Sequence, residues 1–310
     1  MPETQLTPRQ EDIVHDLLQV TLEPPVFDRQ LGRDLRAEMN ERLRAIAEPL
    51  GKGEKFTLAK NLLGAARTCE GFLAADTFSW SVPAIRGRVV HRALELLILD
   101  AAPWQPLDAV TAGYAAVEND DPDSPGSAGN FLRQLDAAYR AAIIRDAVDA
   151  CTKFVEDWPR IPAAWHPRVE SAANISFGPI RLRAVSDLAL SIPVGERRRD
   201  VVIDYKTGAE YLDHRQDMHF YALMHTLRSG TPPHRVATYY LDEGSWTVDD
   251  VTPGVIEAAK RQVLAAAEIK VRILTSGPGE YRPGPTCRFC PVADACSHGQ
   301  DWLAANQRAA

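Results

Sequence analysis

The stretch IRLRAVSDLALSIPVGERRRDVVIDYKTG, residues 180–208, decides the fold. It contains two runs rich in aliphatic and β-branched residues, split by the turn signal PVGE. A third run, RVESAANISF at 168–177, precedes it across the turn signal FGPI. Three consecutive antiparallel strands are predicted. In the last of them Asp204 and Lys206 are two apart and share one face, while Val201, Ile203 and Tyr205 share the other. If the PVGE turn is centred between Gly195 and Glu196, Asp187 lies opposite Asp204. If the FGPI turn is centred between Gly178 and Pro179, Glu170 lies opposite Asp187. Glu170, Asp187 and Asp204 then form a row across three strands, each pair roughly 4.5–5.5 Å apart at Cβ.

Like charges so placed destabilise one another unless a proton, a lysine or a cation offsets them. Carboxylate oxygens are the ligands that Mg²⁺ and Mn²⁺ prefer. Such an ion lowers the pKa of a bound water and polarises a phosphodiester, and Lys206 could stabilise the charge that develops on phosphate. An ordinary surface sheet with Asp–Lys ion pairs gives the same local pattern. His91, in RGRVVHRALE, shares a helix face with Gly87 and Glu95. It matters if that helix packs against the carboxylate row, because imidazole is a good further ligand.

Helices are expected on both sides of this region. QEDIVHDLLQV (10–20) and RDLRAEMNERLRAIAEPL (33–50) have helical apolar spacing and are separated by PPVF. FTLAKNLLGAARTCEGFLA (56–74) reads as a further helix with Cys69 near its end. NDDPDSPGSAG (119–129) reads as a loop or disordered insertion. The segment 130–158 reads as one long helix carrying Cys151 as a small core residue. A helix ending at Gly230, a hairpin over 235–251 and a helix starting near Pro253 follow. From Gly277 onward the chain looks loop-like. No internal repeat is seen.

Three cysteines in that last stretch, TCRFCPVADACSHG, have the spacing Cys-x2-Cys-x5-Cys at Cys287, Cys290 and Cys296. They are one ligand short of four, and Cys69 could supply it. Four thiolates suit zinc or an iron–sulfur cluster. A zinc ribbon more typically brings two close pairs, while His298 keeps zinc open.

The 310 residues allow one large or two modest domains, and 45% apolar with 25% charged residues is ordinary for a globular protein. The formal charge of −7 argues against coating nucleic acid by bulk electrostatics. It leaves open an enzyme that grips a few phosphates, for which Arg181, Arg183 and Arg197 to Arg199 are candidates. The polar N-terminus and the lack of a long apolar run predict a cytoplasmic protein without a membrane partner.

The ordered set GRVVH, RAVSD, VIDYKTG, FYALM and CRFCPVADAC, with the early Cys69, resembles the RecB-like branch of the PD-(D/E)XK nucleases. The likeness is greatest to members with a C-terminal iron–sulfur staple, such as AddB-type subunits and CRISPR adaptation nucleases. It runs from about residue 57 to 298. It implies an α/β restriction-endonuclease-like core, a central mixed sheet flanked by helices. Residues 1–55 would be a helical extension and 56–310 the nuclease domain. By this resemblance His91, Asp187, Asp204 and the Tyr205 backbone carbonyl hold Mg²⁺ or Mn²⁺, and Lys206 is the catalytic lysine. Glu170 is an acidic neighbour, and Cys69, Cys287, Cys290 and Cys296 bind a [4Fe–4S] cluster. Tyr221 matches a motif tyrosine. The glutamine expected four residues earlier is replaced by Asp217, with Gln216 one position off. The implied activity is hydrolysis of DNA, as an exonuclease on single strands or ends. Because no Gly-x4-Gly-Lys-Ser/Thr loop is found, unwinding would fall to a helicase or other DNA-processing partner. A non-catalytic scaffold subunit and a zinc-ribbon binding module are the competing readings.

Overall fold

The computed structural model describes residues 6–28, 30–75, 78–99 and 104–306. Its centre is a six-stranded mixed sheet of β1 (Phe56–Leu58), β2 (Arg168–Phe177), β3 (Ile180–Val194), β4 (Arg197–Lys206), β5 (Arg235–Tyr240) and β6 (Ser245–Asp250). β2, β3 and β4 are successive antiparallel neighbours; β1 runs parallel to β3, and β5 parallel to β4. The ladders pair Phe177 with Ile180 and Val194 with Arg197, which is the expected register in both hairpins. Gly178 (φ 62°) and Gly195 (φ 58°) occupy the first central position of these two-residue turns. Glycine adopts positive φ there at little cost, which favours the type II′ turn that matches strand twist.

Helices cover both faces. On one face lie α2 (Leu31–Ile46), α3 (Lys60–Thr68), α4 (Glu70–Ala75), α9 (Leu212–Ser229) and α10 (Pro253–Ser276). They build a core around Val202, Ala189 and Val236. On the other face lie α1 (Pro8–Asp12) with a π turn over Ile13–Leu17, α5 (Val82–Leu99), α6 (Pro106–Glu118), α7 (Ala128–Gln134) and α8 (Ala137–Asp157). They bury Leu188, Leu190, Val201, Ile203 and Tyr205. α11 (Ser297–Asn306) closes the described chain. No helix among the described residues is long and apolar enough to cross a membrane.

Several local expectations are corrected. FTL is a strand, because Phe56–Leu58 pair with Ile180–Leu182 and bury Leu58. The helix expected through 56–74 also breaks at Cys69, whose backbone is extended between α3 and α4. The segment 130–158 is two helices, since the Asp136 side chain accepts the Tyr139 amide and caps a new start at Ala137. The loop expected at 119–129 is present up to Ser127, after which α7 begins, and is tethered: Trp80 Nε1 donates to the Gly126 carbonyl and Asn130 Nδ2 to that of Pro122. The C-terminal stretch, expected to be loop-like, ends in α11.

The N-terminal elements share the cores of the later ones. Ile13, Leu17 and Leu18 join the α5–α8 side, and Leu35, Met39 and Leu43 join the α9–α10 side. This use of the N-terminus also corrects the view of Arg197 and Arg199 as phosphate contacts. Arg199, 3% exposed, donates to the Leu22 carbonyl, and Arg197 to that of Pro24. Arg198 binds the Ala164 carbonyl and Ser191. All three sit at the start of β4, while Asp204 and Lys206 are at its end, roughly 17–30 Å away at about 3.3 Å per residue.

Candidate metal centre and cysteine cavity

β2 covers one flank of β3 from Ile180 to Ala189. β1 and β4 therefore share the other flank, β1 at Ile180–Leu182 and β4 at Leu188–Val194. Parallel and antiparallel to β3 respectively, they point their C-terminal ends at each other. Between them, β3 residues 183–187 carry no ladder partner on that flank among the described residues. The candidate site lies in this gap.

Where β3 and β4 part, Asp187 Oδ2 accepts the Tyr205 backbone N–H at 2.7 Å. This turns Asp187 Oδ1 toward His91 Nδ1, 3.2 Å away, and Glu170 Oε1 lies 3.4 Å from the same nitrogen. His91 Nε2 is 3.2 Å from the Tyr205 carbonyl oxygen. His91, Glu170 and Asp187 can each bring one ligand atom within 4.8 Å of the others. Burial opposes charge on His91, yet Asp187 and then Glu170 outweigh it and raise the imidazole to about 10. Both ring nitrogens of His91 thus face oxygens.

Packing positions this histidine. α5 buries Val89, Val90, Ala93 and Leu94 against the sheet, worth roughly 1.5–3 kcal/mol for each larger side chain. A partly exposed ion pair contributes only about 0–1 kcal/mol. The helix therefore sets the place of His91. Glu170 has φ 47° and is missing from the β2–β3 ladder, although its neighbours Val169 and Ser171 pair in register. A left-handed non-glycine residue costs on the order of 1–3 kcal/mol, and such strain concentrates at functional sites.

Asp204 stands beside this group rather than within it. Its side chain is 1% exposed and contacts two lysines: Lys206 at Oδ2, and Lys60 at Oδ1 at 3.1 Å. Burial opposes ionisation, but Lys60 and then Lys206 hold the Asp204 carboxyl far below its ordinary range. Tyr221 is buried on α9, with its ring centre 5.3 Å from Lys60 Nζ. Asp217 faces the same cluster, where burial raises its carboxyl despite Lys60 and Lys206. Gln216 turns away and accepts from Gln262. Lys60 was missed by sequence reasoning; its one signal is a lysine opening a helix directly after the short apolar run FTL.

The donors that come together, one imidazole and two carboxylates, fit a hard divalent cation. His91 also donates nowhere that a metal could not replace, since all three of its close contacts are oxygens.

A second centre lies at the edge of the α3–α10 layer. Cys69, Cys287, Cys290 and Cys296 line one small cavity of about 20 Å³ with Phe72, Tyr281 and His298. The Gly284 amide donates to Cys287 Sγ and the Gly299 amide to Cys296 Sγ, both at 3.4 Å. Burial, then the other three thiols, raises the Cys290 thiol. No three of these sulfurs fall within 4.8 Å of one another among the described residues. A single tetrahedral zinc, with Zn–S bonds of about 2.3 Å, would draw the sulfurs to about 3.8 Å apart. His298 stacks on Tyr281 with ring centres 5.2 Å apart. Cys151 lies in the α5–α8 core, where burial pushes its thiol up to about 12.

A model of the PD-(D/E)XK nuclease superfamily matches residues 58–297, and the chain belongs to that superfamily. Among solved structures it is similar to a "Putative exonuclease" from Eubacterium rectale, at a TM-score of 0.47 and 11% identity, covering 77% of this chain and 87% of that one. It is also similar to the crystal structure of SSO0001, at a TM-score of 0.35 and 14% identity, covering 86% of this chain and 96% of that one. Likenesses this distant carry no argument about activity. A search of curated proteins gives no match.

Proposed function

We propose that this protein is a divalent-metal-dependent DNA nuclease of the RecB-like branch, an exonuclease on single strands or DNA ends. The observation that carries the reading is the convergence of Glu170 and Asp187 on His91 Nδ1, with the Tyr205 carbonyl at Nε2 and Asp204 and Lys206 alongside. His91, Asp187, Asp204 and the Tyr205 carbonyl would hold Mg²⁺ or Mn²⁺. When bound, such an ion supplies an activated water and Lewis acidity toward a phosphodiester. Lys206 stabilises the charge developing on the phosphate oxygens. Glu170 orients His91, and Tyr221 walls the pocket beside Asp204.

Cys69, Cys287, Cys290 and Cys296 would bind a [4Fe–4S] cluster that clasps α3 to the C-terminal segment. Their shared cavity and the two amide-to-sulfur hydrogen bonds support this reading. Residues 1–55 are an extension to a nuclease domain over 56–310, and a helicase or other DNA-processing partner would open duplexes for it. Free thiols agree with a cytoplasmic setting.

The test is cleavage of end-labelled single-stranded, duplex and flapped DNA by wild-type protein and Lys206→Ala with Mn²⁺, on protein purified anaerobically. Cleavage that needs the metal and Lys206 is expected. Wild-type protein inert on all three substrates would sink the reading. Colourless protein containing zinc but no iron or sulfide would remove the cluster from it.

A further inference from the structure

Two ammonium groups meet one carboxylate at Asp204. Lys206 reaches Oδ2 from two residues along the same strand, while Lys60 reaches Oδ1 from the first turn of α3. One negative charge does not balance two positive ones. The neighbouring acids do not make up the difference. Asp187 is committed to His91 and the Tyr205 amide, and no ion pair joins Asp217 to either lysine among the described residues. This side of the gap thus has a surplus cation.

The two lysines differ in freedom. The Lys60 side chain is 36% exposed and that of Lys206 20%. Lys206 is anchored on β4, whose backbone continues the sheet through the parallel β5 pairing at Tyr240. Lys60 enters from the opposite end of the gap, at the tip of a helix, with its ammonium over the Tyr221 ring. Asp204 has two oxygens, and each is taken. A further ligand on Asp204 would compete with a lysine, and Lys60, the more exposed, is the one with room to leave. Its ammonium then needs another anion within reach.

We propose that Lys60 is a second phosphate-binding residue of the site, one that exchanges Asp204 for a non-bridging oxygen of a nucleic-acid phosphate while Lys206 keeps its own place. This deepens the nuclease reading and rests on it. An ammonium–phosphate contact is charge-assisted and stronger than a neutral hydrogen bond. The two lysines, arriving from β1–α3 and from β4, would bracket the phosphate from both ends of the gap.

The experiment measures binding of fluorescently labelled single-stranded and duplex oligonucleotides with Ca²⁺ in place of Mg²⁺, across a salt series. Wild type is compared with Lys60→Met, Lys60→Arg and Lys206→Ala. Lys60→Met keeps the stem against Tyr221 and removes the charge. It should weaken binding about tenfold at every sequence and lower the slope of log affinity against log salt by about 1. Lys60→Arg should retain the slope. Mn²⁺ affinity by calorimetry should be unchanged or tighter in Lys60→Met, because a competitor for Asp204 is gone. Unchanged DNA affinity and slope in Lys60→Met overturns the proposal. So does a loss of Mn²⁺ affinity with DNA binding intact, which makes Lys60 a support for Asp204 alone. Wild-type protein that binds no Mn²⁺ and cleaves no DNA fails at the parent reading instead, which separates the two.

Discussion

Glu70 Oε1 sits 2.5 Å from Arg272 Nη2, while its Oε2 accepts the amides of Gly279 and Glu280 at 2.8 and 3.1 Å. The residue next to Cys69 in sequence is therefore the acid that ties α4 to the start of the C-terminal segment, independently of any sulfur chemistry. Burial opposes its charge, but the Gly279 amide and Arg272 hold its carboxyl below the ordinary value of 4.5. A lowered folded value means that the stabilisation is present above about 4.5 and is lost as pH falls through the folded value. Glu70→Gln should thus cost about 2 kcal/mol near neutral pH. Thermal unfolding curves of variant and wild type should converge in acid. A constant difference across the whole range would show that charge plays no part.

Lys206→Ala removes an ammonium that contacts Asp204 without supplying a metal ligand. Its cleavage rate should fall by about 10²–10³, with Mn²⁺ affinity preserved. Single-turnover kinetics with calorimetry on the same preparation separates the two quantities. Asp187→Asn should instead lose metal binding, since Asp187 touches both His91 and the Tyr205 amide.

Gly32 is at the start of α2, where an added Cβ would fall 2.1 Å from the Gly230 carbonyl oxygen. Backbone cannot yield as a side-chain tip does. Gly32→Ala should destabilise the protein by about 1–3 kcal/mol, measured by urea denaturation. Because α2 packs on α9, the whole cooperative transition should move rather than a separate N-terminal one.

Cys290→Ala should abolish bound iron and sulfide and lower the melting temperature before it affects catalysis at low temperature. Iron and sulfide analysis alongside circular dichroism checks this. A variant that stays fully folded yet cuts no DNA would mean that the cysteines do more than fasten the chain.

The register of the two hairpins was legible because both turns are symmetric two-residue glycine turns, but the carboxylate row was only partly so, since Glu170 leaves the ladder and Asp204 pairs with two lysines instead. Ile203 and Tyr205 must face the α5–α8 core, and that alone sends Asp204 and Lys206 to the other side. Cys287, Cys290 and Cys296 were legible because their spacing is dense, and Cys69 because the remaining cysteine, Cys151, sits on an apolar helix face. Lys60 was not. β1 is three residues long, too short for an alternation signal, and it runs into α3 with only Ala59 between them. The arginines after Gly195 misled for a related reason. A run of positive charge looks free in sequence, and only the fold reveals the carbonyls of Leu22, Pro24 and Ala164 waiting for it.

Lys60 and Cys69 stand at the two ends of α3, the first as its opening residue and the second just past Thr68. Nine residues of helix separate them by about 13 Å, at 1.5 Å per residue. The cysteine edge and the lysine edge of the molecule are thus the two ends of one short helix.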